Sequence, residues 1–129
     1  MDKRRIIYTG IELDAESRNL ILEKVKIPEG WKTLCHHSTI YFHTSETQRY
    51  KEWVEENLGK QMIMIAHGIG KDNKVMALQV MTSAPCANKT KHITLAVSPE
   101  GKPVMSNYLK EWKMIEPLVL VGKVRAWYK

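Results

Sequence analysis

Two short segments constrain this chain more than anything else in it. His37-Ser38-Thr39-Ile40-Tyr41-Phe42 and His92-Ile93-Thr94-Leu95-Ala96-Val97 share one pattern: His, any residue, Thr, an apolar residue, any residue, an apolar residue. Both read as strands, in which successive side chains point to opposite faces. His37 and Thr39 therefore share a face, as do His92 and Thr94, while Ile40 with Phe42 and Leu95 with Val97 take the other. The apolar pairs claim the core, so each His and Thr is left facing a groove. A fold for this chain has to satisfy both segments at once, although they lie about 55 residues apart.

Periodicity and turn residues place the other elements. Ile6 to Leu13 predicts a first strand, with Ile7, Thr9, Ile11 and Leu13 on one face and Tyr8 on the other. Asp14 suits a helix N-cap, with Ser17, Leu20, Ile21 and Lys24 continuing the helix until Pro28-Glu29-Gly30 breaks the chain. Thr33 to Phe42 predicts one strand containing the first segment. Ser45 could cap a helix over Glu46 to Leu58, ending at Gly59. Met62 to Ile69 and Val75 to Met81 predict a hairpin about Gly70-Lys71-Asp72-Asn73. Lys91 to Val97 is a further strand. The spacing of Tyr108, Leu109 and Trp112 predicts a short helix over Ser106 to Lys113. Pro117 then opens a last strand, Leu118 to Tyr128, with Leu118, Leu120, Val124 and Ala126 on one face. This is a mixed chain of helices and strands with mostly antiparallel pairing. With 129 residues and no internal linker or repeat, it reads as a single domain over 1–129, large enough to bury a core without staples.

The chemistry of the repeated segments follows from their residue types. Cleaving a phosphodiester needs a base to activate the nucleophile and an acid to protonate the leaving oxygen. Histidine suits both tasks near neutrality. Charge developing on the phosphoryl oxygens needs fixed donors, and a threonine hydroxyl two residues from each histidine supplies one per strand. His37 and His92 are thus the candidate catalytic residues and Thr39 and Thr94 the candidate phosphate ligands, in a cradle that needs no metal and no cofactor. His36 and Ser38 also satisfy His-x-Ser. The choice falls on His37 with Thr39 because Ser38 would share the core face with Ile40 and Phe42; a groove-facing His36 would overturn it.

Composition is consistent with an anionic ligand. The formal net charge is +6, from 20 basic and 14 acidic residues, which favours a nucleotide or nucleic acid as partner. No apolar run approaches the roughly 18 residues of a membrane span, and the basic N-terminus lacks the apolar stretch of a signal peptide. The sequence therefore predicts a cytoplasmic protein, in host cytoplasm if viral, with no membrane association and no obligate protein partner. Two cysteines, Cys35 and Cys86, are too few for a disulfide scaffold and read as packed thiols. Adjacent Cys35, His36 and His37 on one strand cannot all face one ion, so a zinc site is not expected.

The two segments, H-S-T-I-Y-F and H-I-T-L-A-V, resemble the paired motifs of the two-histidine (2H) phosphoesterase superfamily, also called LigT-like. The opening Tyr8-Thr9-Gly10-Ile11-Glu12-Leu13 followed by Asp14-Ala15-Glu16-Ser17 resembles that family's first strand and helix. The stretch K-H-I-T-L-A-V-S-P-E-G-K-P-V-M-S-N resembles a branch near the phosphodiesterase part of fungal-type tRNA ligases and near phage enzymes that degrade signalling nucleotides. The likeness covers nearly the whole chain, with the two motifs its specific part. It implies an α+β, bilobal fold of two antiparallel sheets around a central groove, flanked by helices, with one motif from each lobe. It also implies metal-independent hydrolysis or transesterification at a ribose 2′ or 3′ phosphate. By position, His37 and His92 become the acid–base pair, and Thr39 and Thr94 the phosphate ligands. Which histidine is the base is left open.

Three aromatic residues are candidates for contacting the nucleotide. Tyr8 lies off the apolar face of its strand, Tyr41 shares parity with His37 and Thr39, and Trp127 shares a face with Lys123 and Arg125; each also has an ordinary packing explanation. Ser106 reads as a helix N-cap. The substrate is either an RNA end bearing a 2′,3′-cyclic phosphate or a small cyclic or 2′–5′ linked signalling oligonucleotide, as in phage evasion of host immunity. The lack of a ligase or kinase partner within the chain slightly favours the latter. The alternative is a module that binds nucleotides or RNA without cutting them, though such a module has no need of two proton-transfer groups.

Overall fold

Alternating burial along the first strand sets the inside of the molecule. In the computed structural model, which describes residues 6–42 and 48–128 with the side chains of residues 6, 7, 42, 48, 49 and 128 excepted, strand β1 spans Ile6–Leu13. Thr9, Ile11 and Leu13 are buried, while Tyr8 on the opposite face is partly exposed. Helix α1 (Ala15–Lys24) begins where Asp14 accepts a hydrogen bond from the Ser17 amide at 2.8 Å. Ser17 in turn accepts from the Val121 amide at 2.7 Å. Ile21 from α1 is fully buried. Helix α2 (Gln48–Asn57) buries Val54; the expected cap Ser45 and start at Glu46 lie outside the described residues.

The remaining strands are β2 (Lys32–Thr33), β3 (His37–Phe42), β4 (Gln61–Lys71), β5 (Val75–Met81), β6 (His92–Val97) and β7 (Lys113–Tyr128). Among the described residues they form one sheet in the order β2-β6-β3-β1-β7-β4-β5, and β5 pairs back onto β6. Every strand pairing is antiparallel. That last pairing closes the sheet into a barrel, with β2 appended at the edge. The expected two sheets either side of a groove are instead one sheet joined to itself, which leaves the barrel strands no free edge. Ile11, Ile40, Met64, Leu78, Ile93, Leu95, Leu120 and Val124 fill its core, each no more than 1% exposed.

The single strand expected over Thr33 to Phe42 is broken at Cys35, whose φ of 49° lies in the left-handed region. Such a conformation costs a side-chain-bearing residue on the order of 1–2 kcal/mol. Its surroundings hold it there. The Leu34 and Cys35 amides donate to Leu95 and Thr94 carbonyls, and the Leu13 amide donates to the His36 carbonyl. The Arg18 guanidinium of α1 donates to the carbonyls of Cys35 and Leu34. Cys35 itself is fully buried, and burial pushes its thiol up to about 11.

Two further departures have local causes. Tyr108 is 73% exposed and Trp112 lies against Gly70. The expected helix over Ser106 to Lys113 is therefore a shorter 3-10 turn, Pro103–Tyr108, followed by an early start of β7 at Lys113. Pairing of Lys113 with Ile69 of β4 captures the segment as strand. Pro117 then falls inside β7, where the register with β4 slips between Ala66 and Gly68. A bulge is where a strand tolerates proline.

Candidate active site

The pairing of β3 with β6 brings the two motifs together. Ser38 is the cross-strand partner of Ile93, so the middle residues of both motifs face each other. One step either side, the antiparallel rule sets His37 against Thr94 and Thr39 against His92. Ser38 and Ile93 point inward, at 3% and 0% exposure. The four motif side chains point the other way and line one cavity of about 480 Å³, together with Tyr8, His36, Asn88 and Asn107.

Each motif is followed by the same irregularity. Opposite β1, Gly10 pairs with Thr39 but Thr9 pairs with Tyr41, leaving Ile40 extra. Opposite β5, Ala77 pairs with Thr94 but Met76 pairs with Ala96, leaving Leu95 extra. A bulge directly after the threonine reverses the alternation in both strands. For this reason Tyr41, expected at the groove by parity, is 2% exposed in the core and stacks at 6.1 Å on Tyr50.

Burial sets the electrostatics. His37 is pushed down to about 4, chiefly by burial, with His36 and His92 adding to the effect. His92, 8% exposed, is also lowered by burial, opposed by the Thr90 carbonyl 2.9 Å from its Nδ1. A carbonyl only accepts, so His92 carries its proton on Nδ1 and leaves Nε2 for the cavity. Burial thus favours the uncharged form of both rings. Thr94 Oγ1 lies 2.8 Å from Ser106 Oγ.

The aromatic candidates separate. Tyr8 lines the cavity, with its ring centroid 5.2 Å from that of His37. Trp127 stands behind it, stacked on Tyr8 at 4.5 Å and 5.1 Å from His37. It supports the cavity-lining rings and is not among the residues that line the cavity.

His36 also lines the cavity, the placement that was to overturn the choice of His37 with Thr39. Ser38 lies on the core face, so no His36–Ser38 pair faces the cavity; both rings line it, together with Thr39. Consecutive residues of a regular strand cannot face one side, and the kink at Cys35 just before them is what permits it. Asn88 and Asn107 had no signal beyond their polarity and their proximity to the second motif, and Ser106, expected as a helix N-cap, lies instead inside the 3-10 turn that Lys102 precedes, with its hydroxyl against Thr94. Among the described residues no group of three or more His, Cys, Asp or Glu side chains is arranged to hold a metal ion, and no helix is long and apolar enough to cross a membrane. Cys35 and Cys86 are free thiols.

The chain is similar to a fungal RNA kinase of known crystal structure, with a TM-score of 0.62 at 18% identity over 95% of this chain and 42% of that one. At that identity the likeness is one of fold, and the chain spans less than half of that protein's length. No curated protein matches it. The model of the fungal tRNA ligase phosphodiesterase domain matches residues 5–119. Nearly the whole chain, both motifs included, thus belongs to the fungal tRNA ligase phosphodiesterase domain family, within the two-histidine, LigT-like phosphoesterases.

Proposed function

We propose that this protein hydrolyses a phosphodiester at the ribose 2′ and 3′ oxygens, with the 2′,3′-cyclic phosphate of an RNA end as its substrate. The observation that carries the reading is the convergence of His37, Thr39, His92 and Thr94 on one cavity of about 480 Å³. That volume lies in the range of about 300–1,000 Å³ usual for small-ligand sites. Family membership supports the reaction class and the RNA substrate.

In this reading one neutral imidazole removes a proton from water, whose oxygen bonds to phosphorus. The bond from phosphorus to one ribose oxygen breaks, and the other imidazole, protonated, delivers its proton to that oxygen. Thr39 and Thr94 donate to the non-bridging oxygens as charge builds on them. Two uncharged histidines suit an anionic ligand: its charge favours protonation of one ring as it binds. Base and acid both come from side chains, so the reaction as written needs no metal.

The test is turnover of 2′,3′-cyclic nucleotides and cyclic-phosphate-ended oligoribonucleotides with EDTA present, with products identified by mass spectrometry. Ring opening to a monophosphate, lost in both His37→Ala and His92→Ala, is the expected result. Binding without turnover would make the protein a nucleotide-binding module. Preference for cyclic or 2′–5′ linked oligonucleotides would keep the chemistry and move the substrate to signalling nucleotides.

A further inference from the structure

A chain of polar contacts, one hydrogen bond followed by two ion pairs, leads away from the cavity behind His37. His37 Nδ1 lies 2.8 Å from His36 Nδ1, and His36 Nε2 lies 3.2 Å from Glu12 Oε2. The other oxygen of Glu12 is 3.7 Å from Arg125 Nε. Glu12 and His37 are cross-strand partners in β1 and β3, so the fold itself holds the carboxylate beside the motif. Trp127 covers both imidazoles, at 5.7 Å from His36 and 5.1 Å from His37.

Donor and acceptor roles along this chain are fixed from its far end. A carboxylate accepts only, so His36 carries a proton on Nε2. With His36 holding that single ring proton on Nε2, its Nδ1 is a lone pair, and His37 donates to it from its own Nδ1–H. His37 Nε2 is left as a lone pair, the form of a general base. Hence we infer that Glu12 and His36 are positioning residues that lock His37 in the Nδ1–H tautomer and thereby make His37 the base and His92 the acid. The assignment rests on the proposed phosphodiesterase reading.

The surroundings agree with this division. Around His37 stand His36, His92, Tyr8 and, through His36, the Glu12–Arg125 pair; no carboxylate touches His37 directly among the described contacts. His92 instead has the Thr90 carbonyl against Nδ1, a partner that favours its cation. In the forward step His37 Nε2 accepts the proton of the attacking water, and His37 becomes a cation whose Nδ1–H remains bonded to His36. His92 Nε2 gives its proton to the departing ribose oxygen and becomes neutral.

Two measurements test this together. Long-range ¹H–¹⁵N spectra of the free protein at neutral pH should show His37 as the Nδ1–H tautomer, and His36→Ala should shift it toward Nε2–H. Steady-state kinetics on a 2′,3′-cyclic nucleotide should show Glu12→Gln and His36→Ala each lowering kcat about 10- to 100-fold, with KM within about threefold. The double variant should be no slower than His36→Ala alone, because the two act as one unit. Both side chains are substantially exposed, at 34% for Glu12 and 49% for His36, so the variants should fold. Normal kcat in both single variants, or wild-type His37 protonated on Nε2, overturns the relay while wild-type turnover and an inactive His92→Ala leave the phosphodiesterase reading standing. Absence of turnover in the wild type sinks both.

Discussion

Thr94 and Ser106 meet hydroxyl to hydroxyl at 2.8 Å, with Ser106 only 1% exposed within the 3-10 turn that follows β6. One of the two hydrogens lies between them, and if Ser106 supplies it, Thr94 keeps its own for a phosphoryl oxygen. Thr94→Ala should slow the chemical step about 10²-fold or more, as loss of a fixed donor to developing charge does. Thr39→Ala should do the same from the other strand. Ser106→Ala should cost less, about tenfold in kcat, together with about 1 kcal/mol of stability for the lost bond. Single-turnover rates and urea unfolding check both; near-normal chemistry in both threonine variants removes them from the site.

The two tyrosines expected at the groove should behave as different residues. Tyr8 lines the cavity, and Tyr8→Ala should raise KM for a cyclic nucleotide about 10- to 100-fold, in keeping with roughly 1–3 kcal/mol for stacking a base. Tyr41 is in the core at 2% exposure. Tyr41→Ala should cost about 3–5 kcal/mol of stability by cavity formation. Tyr41→Phe should leave KM unchanged. Unfolding midpoints and KM measured side by side decide; an unchanged KM in Tyr8→Ala would end its stacking role.

The pH dependence of kcat/KM should be displaced to acid. With His37 at about 4 and His92 also below its ordinary value, the free enzyme holds a single proton on the pair only between those two values. For a cyclic diester, which does not titrate here, kcat/KM should peak below about pH 6.5 and fall tenfold per unit above it. The kcat profile should lie at higher pH, because bound phosphate raises both values. A kcat/KM that is flat from pH 5 to 9, with chemistry limiting, contradicts the acid–base pair.

Burial of His37 also makes stability fall in acid. Its native value of about 4 lies below the unfolded value of 6.5, so the unfolded chain binds more protons as pH drops between them. Stability should therefore be full above pH 6.5 and decline until about pH 4, by at most about 3 kcal/mol from this group. His92 works in the same direction. His37→Asn should flatten the decline. Urea unfolding of both proteins at pH 7 and pH 4.5 checks it, and equal losses would show that His37 is not the source.

How much of this was legible depended on distance along the chain. Alternation placed Thr9, Ile11 and Leu13 inside and Tyr8 outside, because burial on one face of a strand leaves a period of two. It also placed Ser38 in the core, where it is 3% exposed, and left Thr39 facing the cavity. The same period misassigned Tyr41, since the bulge at Ile40 depends on the β1 partner rather than on local residues. Closure of the sheet through β5 and β6 had no local signature either. Nor did the contact of Glu12 with His36, which are remote in sequence and adjacent only once β1 and β3 pair. Tyr108, Leu109 and Trp112 mimicked a helix, and their strand neighbours outweighed the pattern.

Gly10 offers the sharpest test of how the barrel holds its candidate base. It pairs with Thr39, and a Cβ built there would stand 2.7 Å from the Ser38 carbonyl oxygen and 3.3 Å from His37 Cδ2. A backbone oxygen cannot swing aside as a long side chain can, so β1 and β3 must part to admit even one methyl group. Gly10→Ala should lower stability by about 1–3 kcal/mol, the cost of overpacking. It should also move the His37 ring relative to Thr94 and His92, and so lower kcat by at least tenfold where the variant is still fully folded. The ¹⁵N shifts of His37 should change while those of His67, on β4 away from the cavity, do not. Full activity in a folded Gly10→Ala protein would mean that the ring's position beside Gly10 does not matter to the reaction, and the tight geometry assigned to His37 would have to be abandoned.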